Sequence, residues 1–174
     1  VYQMGIGTVG IGTSIEVDEY GGVLISYARI PNGTLAYSYC GCETGYMGTT
    51  HWQTIDIDYS GFVGYWPSIS LSDNNLNILY EDIDNKAVKL ATCSSFAYGS
   101  HCTSGNDWGS ITIHGNQTDT LPGRDKSIGS DSSGNLHVTL WDYTNNDLKY
   151  ATNKTGNWVV STVDSIDNVG SHSS

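Results

Sequence analysis

The cysteines and histidines of this sequence are the residues most suited to bind a metal ion or to form disulfides. All four cysteines and two of the five histidines cluster in two stretches, as Cys40, Cys42, His51, Cys93, His101 and Cys102. Thiolate and imidazole groups bind tetrahedral zinc, but neither cysteine pair has the usual zinc spacing of about two to four residues. Disulfides are therefore favoured: we expect Cys93 to bond Cys102, and Cys40 and Cys42 to bond each other or to pair across repeats. Zinc remains the alternative.

Aspartates in two candidate turns could bind calcium or take part in acid–base catalysis. Asp82 and Asp84 lie in one turn, and Asp142 and Asp147 lie in the other. The EF-hand spacing and its bidentate Glu are missing, and Asp in turns commonly bonds its own backbone. A glycosidase needs two carboxylates that face one cleft, and 18 acidic residues do not single out a pair. We expect no cofactor, with calcium as a further alternative.

Other motifs and the charge balance narrow the function classes. The sequence has no Gly-x-Ser-x-Gly elbow, phosphate-binding loop or His-Glu-x-x-His. The net charge of −11 disfavours nucleic acid and anionic lipid as partners. No run approaches the roughly 20 apolar residues of a membrane helix, and the N-terminus lacks the basic start of a signal peptide. We expect a protein that is neither an enzyme nor inserted in a membrane.

One stretch of the sequence recurs. Residues 79–92 read LYEDIDNKAVKLAT, residues 140–152 read LWDYTNNDLKYAT, and residues 23–39 form a more divergent third copy. Gly-x-x-x-Ser motifs precede the three copies and occur again at the end, with their serines at Ser14, Ser68, Ser127 and Ser174. A tryptophan follows each copy, at Trp52, Trp108 and Trp158. Fixed elements with loops of variable length are typical of stacked modules.

Each copy predicts four short antiparallel strands, the signature of a β-propeller blade. Abundant Gly, Tyr, Ser, Thr and Asn also favour strands and turns over helices. The predicted fold is all-β: a β-propeller segment of three four-stranded antiparallel blades plus a partial outer strand at the N-terminus. The intervals are 1–8 for that partial strand of a preceding blade, 9–62 for blade 1, 63–121 for blade 2, 122–167 for blade 3 and 168–174 for the start of a following blade.

The repeat resembles that of a known class of proteins. The pattern Ser-Ile-x-x-Asp-x-x-Gly-Asn-Leu-His-Val, followed by Leu-Lys-Tyr-Ala-Thr, is similar to the sialidase-like repeats of bacterial and archaeal surface propellers. The resemblance implies a fold. Sialidases bind a substrate carboxylate with three arginines, whereas this chain has only Arg29 and Arg124, and the Asp-box is absent in its usual form. The resemblance therefore does not imply sialidase activity.

Ligand contacts are expected at the mouth, the end of the propeller channel that is ringed by the loops between consecutive blades. These loops hold the candidate ligand-binding residues Tyr65, Trp66, Arg124, Asp125 and His172, with Lys126 beside them. Aromatic rings next to charged groups suit a sugar or another polar ligand, although Tyr65 and Trp66 could equally pack between blades. Three glycosylation sequons lie in predicted loops, at Asn32, Asn116 and Asn153.

These features predict an extracellular or cell-surface propeller that acts as a structural, adhesive or assembly module. Three blades would leave two exposed edges, which soluble proteins avoid because unpaired strand edges template aggregation, so the expected partners are copies of the chain itself or the rest of a longer propeller chain. A lectin-like propeller that binds glycans is the alternative, and a fragment of a glycoside-processing enzyme is the third hypothesis.

Overall fold

The computed structural model describes residues 9–41, 51–94, 96, 102–115 and 122–170. These residues form three four-stranded antiparallel sheets. The first sheet contains β1 (Val9–Val17), β2 (Val23–Arg29), β3 (Thr34–Cys40) and β4 (Gln53–Asp58). The second contains β5 (Val63–Ser72), β6 (Asn75–Asp82), β7 (Ala87–Cys93) and β8 (Trp108–Gly115). The third contains β9 (Pro122–Ser130), β10 (Leu136–Asp142), β11 (Asp147–Thr152) and β12 (Val159–Asp164).

This architecture confirms the all-β fold predicted from the repeats, with one blade in each sheet. The strands of each sheet lie side by side in sequence order, as four-stranded propeller blades do. Among the described residues the only helix is a short 3-10 helix, Gly105–Asp107, in the loop between β7 and β8, and no helix is long and apolar enough to cross a membrane. The predicted partial strand at 1–8 and most of the predicted blade start at 168–174 lie outside the described residues.

The second strand of each blade shows how the blades stack. In β2 every second residue is buried, in β10 the opposite set is buried, and in β6 nearly every residue is buried. Because side chains alternate between the two faces of a strand, blade 1 is covered on one face, blade 3 on the other, and blade 2 on both. We call the face toward the preceding blade the incoming face and the face toward the next blade the outgoing face.

Two apolar cores fill the blade junctions. Between blades 1 and 2 the core includes Tyr37 and Leu35 of β3 and Ile78 of β6, all fully buried. Between blades 2 and 3 it includes Leu79 of β6 and Val138 of β10. Such buried aliphatic side chains each contribute roughly 1.5 to 3 kcal/mol of transfer free energy. The hydrophobic core of this protein therefore lies between the sheets.

The recurring serine of the Gly-x-x-x-Ser motif joins neighbouring inner strands. The Ser14 hydroxyl accepts the backbone N–H of Ile69 at 3.1 Å, and the Ser68 hydroxyl accepts that of Ile128 at 3.3 Å. Each donor directly follows the serine of its own blade. The sequence shows only that this serine recurs before each copy. In the structure the serine hydroxyl accepts a backbone N–H at the edge of the next inner strand, where leaving that N–H without a hydrogen bond would be costly.

The recurring tryptophans differ in their surroundings. Trp108 packs on the core between blades 1 and 2 and meets Tyr37 edge-on, with 5.6 Å between ring centroids. Trp158 packs in the same way on the core between blades 2 and 3. Trp52 of blade 1 is 50% exposed. The recurring tryptophan thus packs between blades where the described chain supplies a preceding blade to receive the ring.

A disulfide joins Cys93 and Cys102 and closes the loop that carries the 3-10 helix. Cys40 is disulfide-bonded as well, and Cys42 lies outside the described residues. We predict that the double variant Cys93→Ala/Cys102→Ala loses about 2 to 3 kcal/mol of unfolding free energy, because the loop regains freedom in the unfolded chain. Thermal unfolding by circular dichroism should show a Tm lower by roughly 5 to 10 °C. An unchanged Tm would mean that this bond restrains only the loop.

Candidate functional site

Bulges in the inner strands shape the mouth. The register of β5 against β6 shifts on both sides of Tyr65, and β1 shifts at the matching place. Trp66 has a φ of 43°, and Gly12, at the equivalent position of blade 1, has a φ of 57°. A Cβ on Gly12 would lie 2.6 Å from the Cα of Trp66. The two bulges are therefore packed against each other, which gives Trp66 a role in joining blades 1 and 2.

A buried lysine crosses from blade 3 to blade 2 beneath this bulge. Lys126 is 8% exposed, and its Nζ donates to the backbone carbonyl of Tyr65 at 3.3 Å. Burial lowers the pKa of Lys126 to about 8, against the attraction of the carboxylates of Glu81 and Asp125. Glu81 is 1% exposed, and desolvation together with the charge of Glu81 raises the pKa of Tyr65. The mouth thus contains a buried pair of opposite charges.

Glu81 is the functional residue that the sequence analysis missed. It occupies a position of β6 whose counterparts in β2 and β10 are Ala28 and Trp141. A charged residue where the other copies have uncharged ones was the available signal. Arg124 lies in β9, and His172 lies outside the described residues. Of the five candidate ligand contacts, the structure places Tyr65 and Trp66 side by side, with 5.6 Å between ring centroids, and Asp125 near Lys126.

Polar clusters at the outer side of the junctions also join blades. Asp58 of β4 accepts hydrogen bonds from Lys89 and from the Tyr80 hydroxyl of blade 2, each at 2.7 Å. At the next junction His114 of β8 approaches Asp142 of blade 3, with 3.7 Å between Nε2 and Oδ2. Asp82 and Asp142, two of the aspartates considered as calcium ligands, accept hydrogen bonds within their turns, from Asn85 and Asn145. Asp84 instead accepts the backbone N–H of Phe62, and Asp147 pairs with Lys149. No three metal-ligating side chains converge within the described part of the chain.

The Asp58 cluster predicts a pH dependence. Burial works to raise the pKa of Asp58, but hydrogen bonds from Lys89, Ser60 and Tyr80 outweigh it and lower the pKa to about 2. Because the folded state favours the carboxylate, its contribution is present above the ordinary pKa of 3.8 and is lost as the pH falls toward 2. We expect Asp58→Asn to cost about 1 to 2 kcal/mol at pH 6 and much less at pH 2.5, measured by urea unfolding.

Asp56→Asn is the matched control for this prediction. Asp56 pairs with Arg29 at 2.7 Å, but both side chains are more than a third exposed. Exposed pairs of this kind contribute little. A change of equal size in both variants at pH 6, or a cost for Asp58→Asn that does not fall with pH, would contradict the junction role of Asp58.

A shallow cleft of about 400 Å³ lies where β4 meets the 3-10 helix. It is lined by Asp56, Ile57, Asp58, Tyr59, Ser60, Ser104, Gly105 and Asn106. The Tyr59 ring is 78% exposed beside these polar groups. An exposed aromatic ring with carboxylate, hydroxyl and amide neighbours has the chemistry of a polar ligand contact.

One histidine links a carboxylate to a phenol. His137 Nδ1 lies 2.5 Å from the Tyr150 hydroxyl, and its Nε2 lies 3.4 Å from Asp131 Oδ2. Hydrogen bonds from Asn135, the largest effect, hold the pKa of Asp131 well below its usual range. This constellation can move a proton, yet it lies on the outgoing face of blade 3 and away from the mouth bulges.

The sequons lie in different environments. Asn32 is exposed in the turn between β2 and β3. Asn153 is half-buried, and its side-chain oxygen accepts the backbone N–H of Leu136 at 2.8 Å. Asn116 lies outside the described residues. Asn32 is thus the sequon whose side chain is open to solvent.

The fold is shared with solved structures of carbohydrate-active enzymes. The leech intramolecular trans-sialidase complexed with 2,7-anhydro-Neu5Ac matches 91% of this chain at 19% identity with a TM-score of 0.53. The polysaccharide lyase Uly1 matches 87% at 12% identity with a TM-score of 0.56. The intramolecular trans-sialidase from Ruminococcus gnavus, in complex with oseltamivir carboxylate, matches 87% at 14% identity with a TM-score of 0.53.

These likenesses concern the fold alone. The matched regions span 25%, 41% and 33% of the three solved chains, respectively, so this chain covers less than half of each. No protein-family model matches the sequence, and no curated protein does. The chain therefore resembles the sialidase-like β-propellers at the level of its three stacked blades.

Proposed function

We propose that this chain is a non-enzymatic structural module of an extracellular β-propeller that associates with further blades through its two end faces. The observation that carries the proposal is the exposure of one repeated position. Ile69 and Ile128, which follow the inner-strand serines of blades 2 and 3, are 5% and 8% exposed, whereas Ile15 of blade 1 is 63% exposed. Burial of such a side chain contributes roughly 1.5 to 3 kcal/mol, so the incoming face of blade 1 favours a covering blade.

Neighbouring residues support the same interpretation. Val17 is 53% exposed and Trp52 is 50% exposed on the same blade. The counterparts of Trp52 pack on the outgoing face of a preceding blade. At the other end, Leu148 and Tyr150 of blade 3 are half-buried, whereas their blade 2 counterparts Val88 and Leu90 are buried. Both ends of the stack thus present surface of the kind that the internal junctions bury.

Two further features support the non-enzymatic and extracellular parts of the proposal. Lys126 of blade 3 is attracted to the buried carboxylate of Glu81 across a blade junction, and Asp58 is engaged by two donors from the next blade. Such groups hold blades together and are poorly placed to act on a substrate. Disulfide bonds persist mainly in oxidising compartments, which suits a secreted or surface protein.

Native mass spectrometry of the protein isolated from its natural source tests the proposal. We expect either a multiple of the 18.8 kDa chain or a larger polypeptide that contains it, since both supply further blades. A single 18.8 kDa species with both end faces uncovered would contradict it. The measurement is made with and without reductant, so that association through disulfides is separated from association through blade faces.

A second candidate function, glycan binding, is favoured by the cleft at β4. The exposed Tyr59 ring beside Asp56 and Asn106 offers a stacking surface with hydrogen-bonding neighbours. A glycan array probed with the chain at several calcium concentrations tests this function. Reproducible binding that Tyr59→Ala abolishes would place glycan recognition ahead of the structural role, whereas binding that survives this change would exclude the cleft as its site.

A further inference from the structure

We infer that the outgoing face of blade 3 in one copy of the chain binds the incoming face of blade 1 in a second copy. This inference rests on the proposed function and commits to one source for the covering blade. Two such junctions between two copies would close a ring of six blades, which lies within the range of about 4 to 8 found in propellers. The contacts of the internal junctions have counterparts among the groups at both ends of the stack.

The outgoing aspartate is the first matched group. Asp58 and Asp164 occupy the same place at the end of the outer strand, opposite Leu35 and Leu148 at the same irregularity of register. Oδ1 of Asp58 accepts the backbone N–H of Ser60, and Oδ1 of Asp164 accepts that of Ile166, each at 3.0 Å. In Asp58 this leaves Oδ2 for the donors of blade 2. Asp164 presents its Oδ2 in the same way.

The incoming tyrosine is the second matched group. Tyr80, which donates to Asp58, has Tyr27 as its counterpart in blade 1 and Leu140 in blade 3. At the junction between blades 2 and 3, where Leu140 stands in place of the tyrosine, His114 stands in place of the aspartate. Aspartate and tyrosine therefore occur together at the first junction and are both absent from the second. Asp164 of blade 3 and Tyr27 of blade 1 are the aspartate and the tyrosine that neither internal junction uses. They therefore favour blade 1 of a second copy as the blade that follows blade 3.

The inner strands supply the third match. Ser127 stands in blade 3 where Ser14 and Ser68 stand in blades 1 and 2. Ser14 and Ser68 each accept the backbone N–H of the isoleucine that follows the serine of the next blade. In the proposed junction the Ser127 hydroxyl accepts the N–H of Ile15 from the second copy, while the exposed Ile15 side chain packs near Leu148 and Tyr150. Tyr27 already bonds Ser38 at 2.9 Å and can donate to Asp164 while it accepts from Ser38.

Among the described residues, one segment must move for the junction to form. Gly64 packs on Leu35 at the start of blade 2, and a Cβ added to Gly170 would lie 3.0 Å from the Cα of Leu148 at the matching place. The Val169 N–H also bonds the Asn146 carbonyl at 3.1 Å. The strand start of a second copy would need this space. A chain that ends at Asn168 is therefore expected to associate more tightly than the full chain.

Size-exclusion chromatography with light scattering, over a range of concentrations of the full chain, tests the junction. We expect a monomer–dimer equilibrium that Ile15→Arg weakens by about 100-fold or more, because a buried unpaired charge opposes association. Ile111→Arg is the matched control, because Ile111 is 48% exposed on β8 of blade 2 and outside both end faces. Equal effects of the two variants, or a chain that stays monomeric throughout, would overturn the inference.

A double-mutant cycle tests the assigned contact. Tyr27→Phe and Asp164→Asn should each weaken dimerisation by about tenfold, and the double variant should be little worse than either single one. Additive effects would overturn the pairing of these two residues. Association that is unchanged or weaker in the chain ending at Asn168 would overturn the placement of the second copy. If the natural protein proves to be a larger polypeptide while the isolated chain stays monomeric, the proposed function stands and only this inference fails.

Discussion

Lys126→Met is expected to lower the free energy of unfolding by about 3 to 5 kcal/mol at pH 7, because it leaves the carboxylate of Glu81 buried without its cation. Glu81 is 1% exposed and cannot recover this loss by hydration. The cost should fall at pH 5, since a buried carboxyl group without a cation takes up a proton more readily. Urea unfolding followed by tryptophan fluorescence at the two pH values measures both effects.

The complementary variants give this prediction its control. Glu81→Gln leaves Lys126 buried alone, and its cost should be larger at pH 6 than at pH 9, because the pKa of Lys126 is already lowered to about 8. The double variant Glu81→Leu/Lys126→Met should recover most of the stability, as apolar replacement of a buried pair often does. If the single and double variants were equally unstable, the pair would not act as a unit and the charge argument would fail.

The blades could be predicted from the sequence because their repetition is local. The twin stretches at 79–92 and 140–152 each become the second and third strands of one blade, joined by a turn that the Asp and Asn residues stabilise. The third copy at 23–39 is more divergent and still forms the same two strands. A strand and its turn depend on residues close in sequence, so one copy suffices to recognise the others.

The contacts between blades could not be predicted in this way. The bond from Ile69 to Ser14 joins residues 55 apart, and the bond from Ile128 to Ser68 joins residues 60 apart. The sequence shows only that a serine recurs before each copy, at Ser14, Ser68 and Ser127. Which hydroxyl meets which N–H depends on the angle between adjacent sheets, and no single blade contains that information.

The mouth shows the same limit. Alternation along β6 places Glu81 on the outgoing face, but only the stacked structure brings Lys126 of blade 3 to that position. The sequence predicts Tyr65 and Trp66 as ligand contacts because they are aromatic and precede an inner strand at the mouth. The structure places both residues at a bulge of β5, and the close approach of Gly12 to the backbone of Trp66 shows that this bulge also sets the spacing of blades 1 and 2.

Gly64 also fixes the spacing of blades 1 and 2. Gly64→Ala is expected to cost about 2 to 5 kcal/mol of unfolding free energy. Its φ of 87° lies in the region that disfavours a side chain, and a Cβ would lie 2.5 Å from the Cα of Leu35 and 2.7 Å from its N. Backbone atoms cannot rotate away, so blades 1 and 2 would have to separate. Thermal unfolding should show a Tm lower by roughly 10 °C.

Gly109→Ala is the matched control for Gly64→Ala. Gly109 lies in β8, where no atom comes within 4 Å of an added Cβ, so alanine there should be neutral or slightly stabilising. A cost below about 1 kcal/mol for Gly64→Ala would mean that blades 1 and 2 separate easily at the start of β5. The end faces of blades 1 and 3 could then no longer be compared with the internal junctions, because that comparison requires every pair of neighbouring blades to be held at one fixed spacing.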